Sequence, residues 1–173
     1  THASAEQLKM ARDSGCLELA VGIETVSDDV MKIIDKAWQS KDKIRHFVEN
    51  CKKNDIKIKI CLILGLPGEP MNIVDETIKF LEEIQPDFAS VSGFLPNPGS
   101  PIAKNYQKFG IKYIDKDWNK YGHLLFRFSE NEDIGLPFEY HKETPWGPSF
   151  TRDEIQKNII TVQQWLDERE KVY

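Results

Sequence analysis

The pattern of apolar and polar positions predicts alternating helices and strands over the first two thirds of the chain. Ser4 followed three residues later by Gln7 fits a helix-initiating capping box, and Gly15 fits the stop. Leu17 to Glu24 then alternates. Leu17, Leu19, Val21 and Ile23 point one way, and Glu18, Ala20, Gly22 and Glu24 the other, which predicts a strand. Ser27 can cap a short helix through about Ala37. A longer helix follows, with Ile44, Phe47, Val48 and Cys51 on one stripe. Ile56 to Leu64 predicts a second strand, ending at Gly65-Leu66-Pro67-Gly68. Met71 to Gln85 predicts a helix with Val74, Ile78 and Leu81 on its apolar stripe. Phe88 to Leu95 predicts a third strand, closed by Pro96-Asn97-Pro98-Gly99.

Strands separated by helices imply βαβ units and a parallel sheet, hence an α/β fold. Right-handed crossovers place the helices on one face if the sheet curls toward a barrel. After Gly110 the pattern changes. Residues 111–150 are aromatic-rich, with Tyr113, Trp118, Tyr121, Phe126, Phe128, Phe138, Tyr140, Trp146 and Phe150, and strand alternation is weak. An irregular extension is expected there, its aromatic residues serving either as core or as a cover for a substrate. Thr151 with Glu154 caps a final helix, in which Ile155, Ile159, Val162 and Leu166 form an apolar stripe. Residues 1–110 are thus expected as an αβ unit and residues 111–173 as a C-terminal extension.

Composition narrows the classes. The 173 residues are 40% apolar and 29% charged, which suits a globular chain. The net charge of −5 gives no broad basic footprint, so no nucleic-acid partner is expected. No apolar run is long enough for a membrane segment. Three cysteines, Cys16, Cys51 and Cys61, do not suggest a disulfide scaffold, and a reducing cytoplasm is the expected location. Cys51, on the apolar stripe, and Cys16, at a helix end, are expected to be buried, inert thiols. The chain begins with Thr1, and it is expected to be a piece of a longer protein.

Ligands of parallel αβ proteins sit at the carboxyl ends of strands, so three ends matter here. At Gly22-Ile23-Glu24-Thr25, two small residues precede a carboxylate on one face. This suits a ligand with an amine or hydroxyls, or simply an exposed glutamate. At Gly65-Leu66-Pro67-Gly68-Glu69-Pro70, glycines permit close backbone approach, while Glu69 and Pro70 also suit an ordinary helix start. No Gly-Lys-Ser/Thr follows, so this is not a Walker loop. At Val91-Ser92-Gly93-Phe94-Leu95-Pro96, Gly93 fits close approach of a ligand or a tight barrel corner. Elsewhere the chemistry is thin. His2, His46, His123 and His141 are scattered, and Asp28-Asp29 and Glu82-Glu83 read as helix-surface charges.

Taken together, Gly-Ile-Glu-Thr, Leu-Gly-Leu-Pro-Gly-Glu and Leu-Pro-Asn-Pro-Gly-Ser-Pro resemble the radical S-adenosylmethionine superfamily. The similarity runs from residue 4 to about residue 105 and matches the second half of the core barrel. The cobalamin-binding-domain-containing branch, which includes magnesium-protoporphyrin IX monomethyl ester cyclase-like proteins, is the nearest in character. The resemblance implies half of a TIM-like barrel with parallel strands and outer helices, followed by an irregular and helical extension. It implies that Glu24 contacts the methionine or ribose part of the cofactor and that Lys36 meets its carboxylate. It implies Ile63 against the adenine, with Gly93 and Leu95 as the far wall of that pocket. The position of Cys61 commonly holds a polar residue facing the ribose, and a thiol departs from that. Strand parity puts Cys61, Ile63 and Gly65 on one face, as a ligand wall requires. Lys57 and Lys59 share that face, and either Lys59 serves substrate binding or the strand begins exposed.

The superfamily's cluster motif is Cys-x3-Cys-x2-Cys, whose thiolates bind three irons of a 4Fe-4S cluster. The three cysteines here lie in different elements, so no metal site and no cofactor bound to this piece alone are expected. In the parent protein, S-adenosylmethionine and a 4Fe-4S cluster are implied, and the cobalamin branch adds cobalamin as a candidate. The expected partners are the N-terminal half of the same parent and a small-molecule substrate. A cut barrel also exposes a strand edge, so self-association or coverage of that edge by the extension is expected. Two alternatives are a non-catalytic barrel-like scaffold and an unrelated αβ-barrel aldolase or hydrolase.

Overall fold

The computed structural model describes residues 3–117, 121 and 136–170. The first helix, α1 (Ala5–Asp13), begins where its cap predicts. Ser4 Oγ accepts the Gln7 N–H at 3.2 Å, and Gln7 Oε1 accepts the Ser4 N–H at 2.8 Å. Two backbone donors at the helix start are thereby satisfied. Strand β1 (Glu18–Glu24) follows, then α2 (Asp28–Ile33), whose first turn is capped by the Ser27 hydroxyl. This helix stops at Ile33 rather than Ala37, because Asp35 turns the chain at φ 59°. Helix α3 (Lys41–Lys53) buries all four residues of its predicted stripe.

Strand β2 (Lys57–Leu64), helix α4 (Ile73–Ile84) and strand β3 (Phe88–Gly93) complete the αβ part. The strands form one sheet in the order β1-β2-β3, with β1 parallel to β2. Along β2, Ile58, Ile60, Leu62 and Leu64 are buried, while Lys59, Cys61 and Ile63 are partly exposed. One face of the strand therefore packs and the other stays open. On α4 the stripe differs from expectation. Ile73, Thr77, Phe80, Leu81 and Ile84 are buried, whereas Val74 and Ile78 are only half-buried. The apolar residues form one broad face of this helix, and Val74 and Ile78 lie toward one edge of that face rather than at its centre.

The chain packs as two compact units. One holds the stretch through Leu62 together with Asp75–Ser90; the other holds Ile63–Val74 together with the stretch from Val91 onward. The core of the first contains Leu8, Ile23, Met31, Ile44, Phe47, Ile58, Ile60 and Leu81. Each such side chain contributes roughly 1.5–3 kcal/mol when fully buried.

The second unit contains α5 (Pro101–Lys104), a 3-10 turn over Tyr106–Phe109, and α6 (Arg152–Glu170). Between them the extension carries short strands: β4 (Ile111–Ile114) antiparallel to β5 (Phe138–Tyr140), then the two-residue strands β6 (Glu143–Thr144) and β7 (Gly147–Pro148). Strands this short give no readable alternation. Helix α6 starts at the predicted box, with Thr151 N–H donating to Glu154 Oε2 at 2.7 Å. It buries Ile155, Ile159, Val162 and Leu166. Phe138, Tyr140 and Phe150 are buried, and Phe138 packs edge-on to Phe94 and Tyr140 at ring distances of 5.3 and 5.2 Å. These three belong to the core of the unit. Tyr113 and Trp146 are exposed. Trp118, Phe126 and Phe128, with His2 and His123, lie outside the described residues. No described helix is long and apolar enough to cross a membrane.

Candidate functional site

In the first unit the carboxyl end of β1 gathers three residues. The strand pattern breaks at its last residue. Gly22 pairs with Cys61, but Glu24 pairs with Leu62, so β1 holds one residue more than β2 there. This bulge re-aims the Glu24 side chain. Glu24 takes φ 65°, and the Thr25 N–H returns to the Ile23 carbonyl at 2.8 Å, which closes a γ-turn centred on Glu24. A non-glycine residue in this region costs roughly 1–2 kcal/mol, and such strain concentrates at ligand sites.

Lys36 fixes the glutamate. Its Nζ donates to Glu24 Oε1 at 2.7 Å and to the Gly22 carbonyl at 2.9 Å. Both side chains are about three-quarters buried, at 24% and 23% exposure. A Cβ on Gly22 would lie 2.6 Å from Glu24 Oε1, so the missing side chain makes the space the carboxylate occupies. Among the described residues, Glu24 Oε2 accepts no hydrogen bond, and the third Nζ proton of Lys36 has no acceptor. The pair thus presents one open acceptor and one open donor, which complements an amino-acid zwitterion. Cys61, opposite Gly22, is half-exposed. Lys59, opposite Ala20, is also half-exposed rather than fully solvated, while the Lys57 ammonium lies 5.9 Å from the Phe88 ring centroid.

The other predicted residues, Ile63, Gly65, Gly93 and Leu95, lie in the second unit. Just past the ends of their strands, the Phe94 N–H donates to the Leu64 carbonyl at 2.7 Å. Gly93 is buried, and Ile63 and Leu95 are half-buried. Glu69, which with Pro70 suits a helix start, is not part of one. Helix α4 begins only at Ile73, and Glu69 is 5% exposed. Its Oε2 accepts the Gly65 N–H at 2.8 Å, and Oε1 has no hydrogen-bond partner among the described residues. Burial pushes its carboxyl up to about 8, only partly opposed by the Gly65 and Leu66 N–H groups. The Tyr140 hydroxyl donates to the Gly65 carbonyl at 2.9 Å. Burial, and then the nearby Glu69 charge, raise its phenol well above its ordinary value. A small cavity lined by Gly65, Gly68, Glu69, Tyr140, Phe150 and Ile155 surrounds this group. The sequence gives no sign that Glu69 and Tyr140 meet, since they lie in separate elements.

Among the described residues no three His, Cys, Asp or Glu side chains group to hold a metal ion. Cys51 is fully buried, and burial pushes its thiol up to about 11. Cys16 is half-exposed rather than buried, its Sγ 3.5 Å from the Glu18 carbonyl oxygen. His46 and His141 are exposed on separate elements, and Asp29 and Glu83 make surface ion pairs with Lys32 and Arg45.

A family model described as the radical SAM superfamily matches residues 1–81. The bacteriochlorophyllide d C-12(1)-methyltransferase of Chlorobaculum tepidum is 25% identical over 123 residues, covering 71% of this chain and 26% of that protein. The chain spans less than half of the length of the curated relatives it matches, from 17% to 44%. Among solved structures, the coproporphyrinogen III oxidase of Escherichia coli, a radical SAM enzyme, superposes with a TM-score of 0.51 at 21% identity, over 66% of this chain and 32% of that one. The radical S-adenosylmethionine methyltransferase TsrM of Kitasatospora setae, solved with cobalamin and a [4Fe-4S] cluster, gives a TM-score of 0.53 at 15% identity, over 64% and 22%. These superpositions show a shared α/β fold of parallel strands and helices.

Proposed function

We propose that this chain, whose residues 1–81 match the radical SAM superfamily model, forms the cofactor- and substrate-facing part of a radical SAM enzyme, apart from the cluster ligands. The observation that carries this reading is the strained Glu24, held by Lys36 over Gly22 with one carboxylate oxygen open. In this reading the open oxygen of Glu24 receives the methionine ammonium or a ribose hydroxyl. The remaining Lys36 proton meets the methionine carboxylate. Ile63, Gly93 and Leu95 line the adenine, with Gly65 beside them. Cys61 replaces the usual polar group at the ribose.

The described residues do not fit a 4Fe-4S cluster, since their three cysteines form no group. We assign the cluster to the part of the parent that precedes this chain, which would also pair with the β1 edge. S-adenosylmethionine, when bound beside a reduced cluster, supplies a 5'-deoxyadenosyl radical that abstracts a substrate hydrogen. The name of the Chlorobaculum relative and the TsrM fold likeness favour methyl transfer with cobalamin over cyclisation or another oxidoreductive step. A cytoplasmic location accords with this chemistry.

The test uses the full-length gene product, reconstituted anaerobically with iron and sulfide. Reduction with dithionite in the presence of S-adenosylmethionine is expected to release 5'-deoxyadenosine. Glu24→Ala is expected to weaken S-adenosylmethionine binding about tenfold or more, as loss of a charge-assisted hydrogen bond implies. Absence of cluster absorbance and of 5'-deoxyadenosine would overturn the proposal. So would unchanged cofactor binding in Glu24→Ala.

A further inference from the structure

Gly65 stands at the end of β2 with both of its backbone polar groups held by buried side chains. Its N–H donates to Glu69 Oε2 at 2.8 Å, and its carbonyl accepts from the Tyr140 hydroxyl at 2.9 Å. A third contact closes the space beneath it. A Cβ on Gly65 would lie 2.8 Å from Ile155 Cγ2, and the residue takes φ 87°. These contacts come from the turn itself, from β5 and from α6. Residues 75 and 90 positions further along the chain therefore converge on one peptide group.

Two features separate this arrangement from ordinary loop packing. A buried carboxyl is a costly way to satisfy one N–H, since its second oxygen is left without a partner among the described residues. The tyrosine is equally specific. Its ring already packs edge-on to Phe138 at 5.2 Å, so the hydroxyl adds one directed bond to a side chain that would be buried anyway. Polar groups retained in a core at such cost fix a geometry that apolar packing leaves loose. The geometry fixed here is the orientation of the first peptide after β2, where a ligand of a parallel αβ sheet approaches.

We propose that Glu69 and Tyr140 are positioning residues that clamp the Gly65 peptide for S-adenosylmethionine binding, which makes the C-terminal extension a working part of the cofactor site. The proposal rests on the reading that Gly65 lies beside the cofactor. Neither side chain touches the cofactor; both act through Gly65. Tyr140→Phe deletes the hydroxyl and keeps the ring. Glu69→Leu deletes the acceptor, and Glu69→Gln restores an oxygen for the Gly65 N–H.

The experiment measures S-adenosylmethionine affinity by titration calorimetry, and 5'-deoxyadenosine release, on the reconstituted full-length protein. Tyr140→Phe and Glu69→Leu are expected to raise Kd and KM about three- to tenfold, the range of one lost neutral hydrogen bond, with kcat within about twofold. Glu69→Gln is expected to recover most of the affinity that Glu69→Leu loses. A purely structural role would lower the fraction of folded protein without this split. If Tyr140→Phe does not accumulate, the Glu69 pair decides alone. Wild-type protein that binds no S-adenosylmethionine overturns the cofactor reading and the clamp together. Wild-type protein that binds it, with equal binding by Tyr140→Phe and Glu69→Leu, overturns the clamp only.

Discussion

Replacing Glu69 by glutamine should change how stability depends on pH. The carboxyl is buried, and its pKa stands near 8 against an ordinary 4.5. Below pH 4.5 it is protonated in both folded and unfolded chains. As pH rises from there toward 8, the unfolded chain releases this proton while the folded chain keeps it. The folded state then binds more protons, so stability falls with rising pH. One pKa unit corresponds to about 1.36 kcal/mol. By pH 7 the loss from this group approaches about 3 kcal/mol, and it levels off above pH 8 at roughly 4–5 kcal/mol. Glutamine is close in shape and cannot ionise, so Glu69→Gln removes this slope. The assay is urea unfolding followed by circular dichroism at pH 5, 6, 7, 8 and 9 on wild type and variant. All other groups titrate alike in both, so the difference between the two curves isolates Glu69. The variant is expected to gain on wild type steadily from pH 5 to 8 and then run parallel to it. Parallel curves across the whole range would refute the assignment of a buried, neutral carboxyl.

Two further predictions use the other ends of the molecule. Glu24→Gly removes a side chain from φ 65°, so unfolding is expected at an equal or higher urea midpoint, although the partly buried pair with Lys36 is lost. The same variant is expected to lose S-adenosylmethionine affinity in calorimetry, and a clear drop in midpoint would count against strain at this position. Cys51, fully buried with its thiol pushed up to about 11, should resist a thiol reagent at pH 8 in the native protein. Mass spectrometry should find native labelling at Cys16 and Cys61, with Cys51 labelled only in urea; native labelling of Cys51 would contradict the packing of α3.

What could be read from the residues divides along the range of the interactions. The box at Ser4 and Gln7, the stripe of α3 and the alternation of β2 are set by neighbours within a few positions, and each stands where the pattern places it. The stripe of α6 follows the same rule. Helix α4 has one broad apolar face, on which Thr77 and Phe80 are buried while Val74 and Ile78, expected on the stripe, lie toward one edge. The pairing of β4 with β5 joins segments more than twenty residues apart and involves strands too short to alternate.

The candidate residues of the two units divide in the same way. Glu24 and Lys36 are twelve positions apart, close enough for strand parity and a single loop to bring them together. Even so, the bulge that turns Glu24 over Gly22 depends on the register with β2, which no local pattern encodes. Glu69 reads as a helix-start charge because that is what Gly-Glu-Pro ordinarily makes. Its burial comes from Tyr140, Phe150 and Ile155, all at least seventy residues away. The residues expected to face a ligand come from the strand ends, whereas Glu69 and Tyr140, which hold the Gly65 peptide, carry no such local signal. Under the proposed clamp, a turn whose geometry is set from so far along the chain would tie cofactor binding to the docking of the extension. Changes in that extension should therefore alter affinity for the cofactor before they alter the chemistry performed on it.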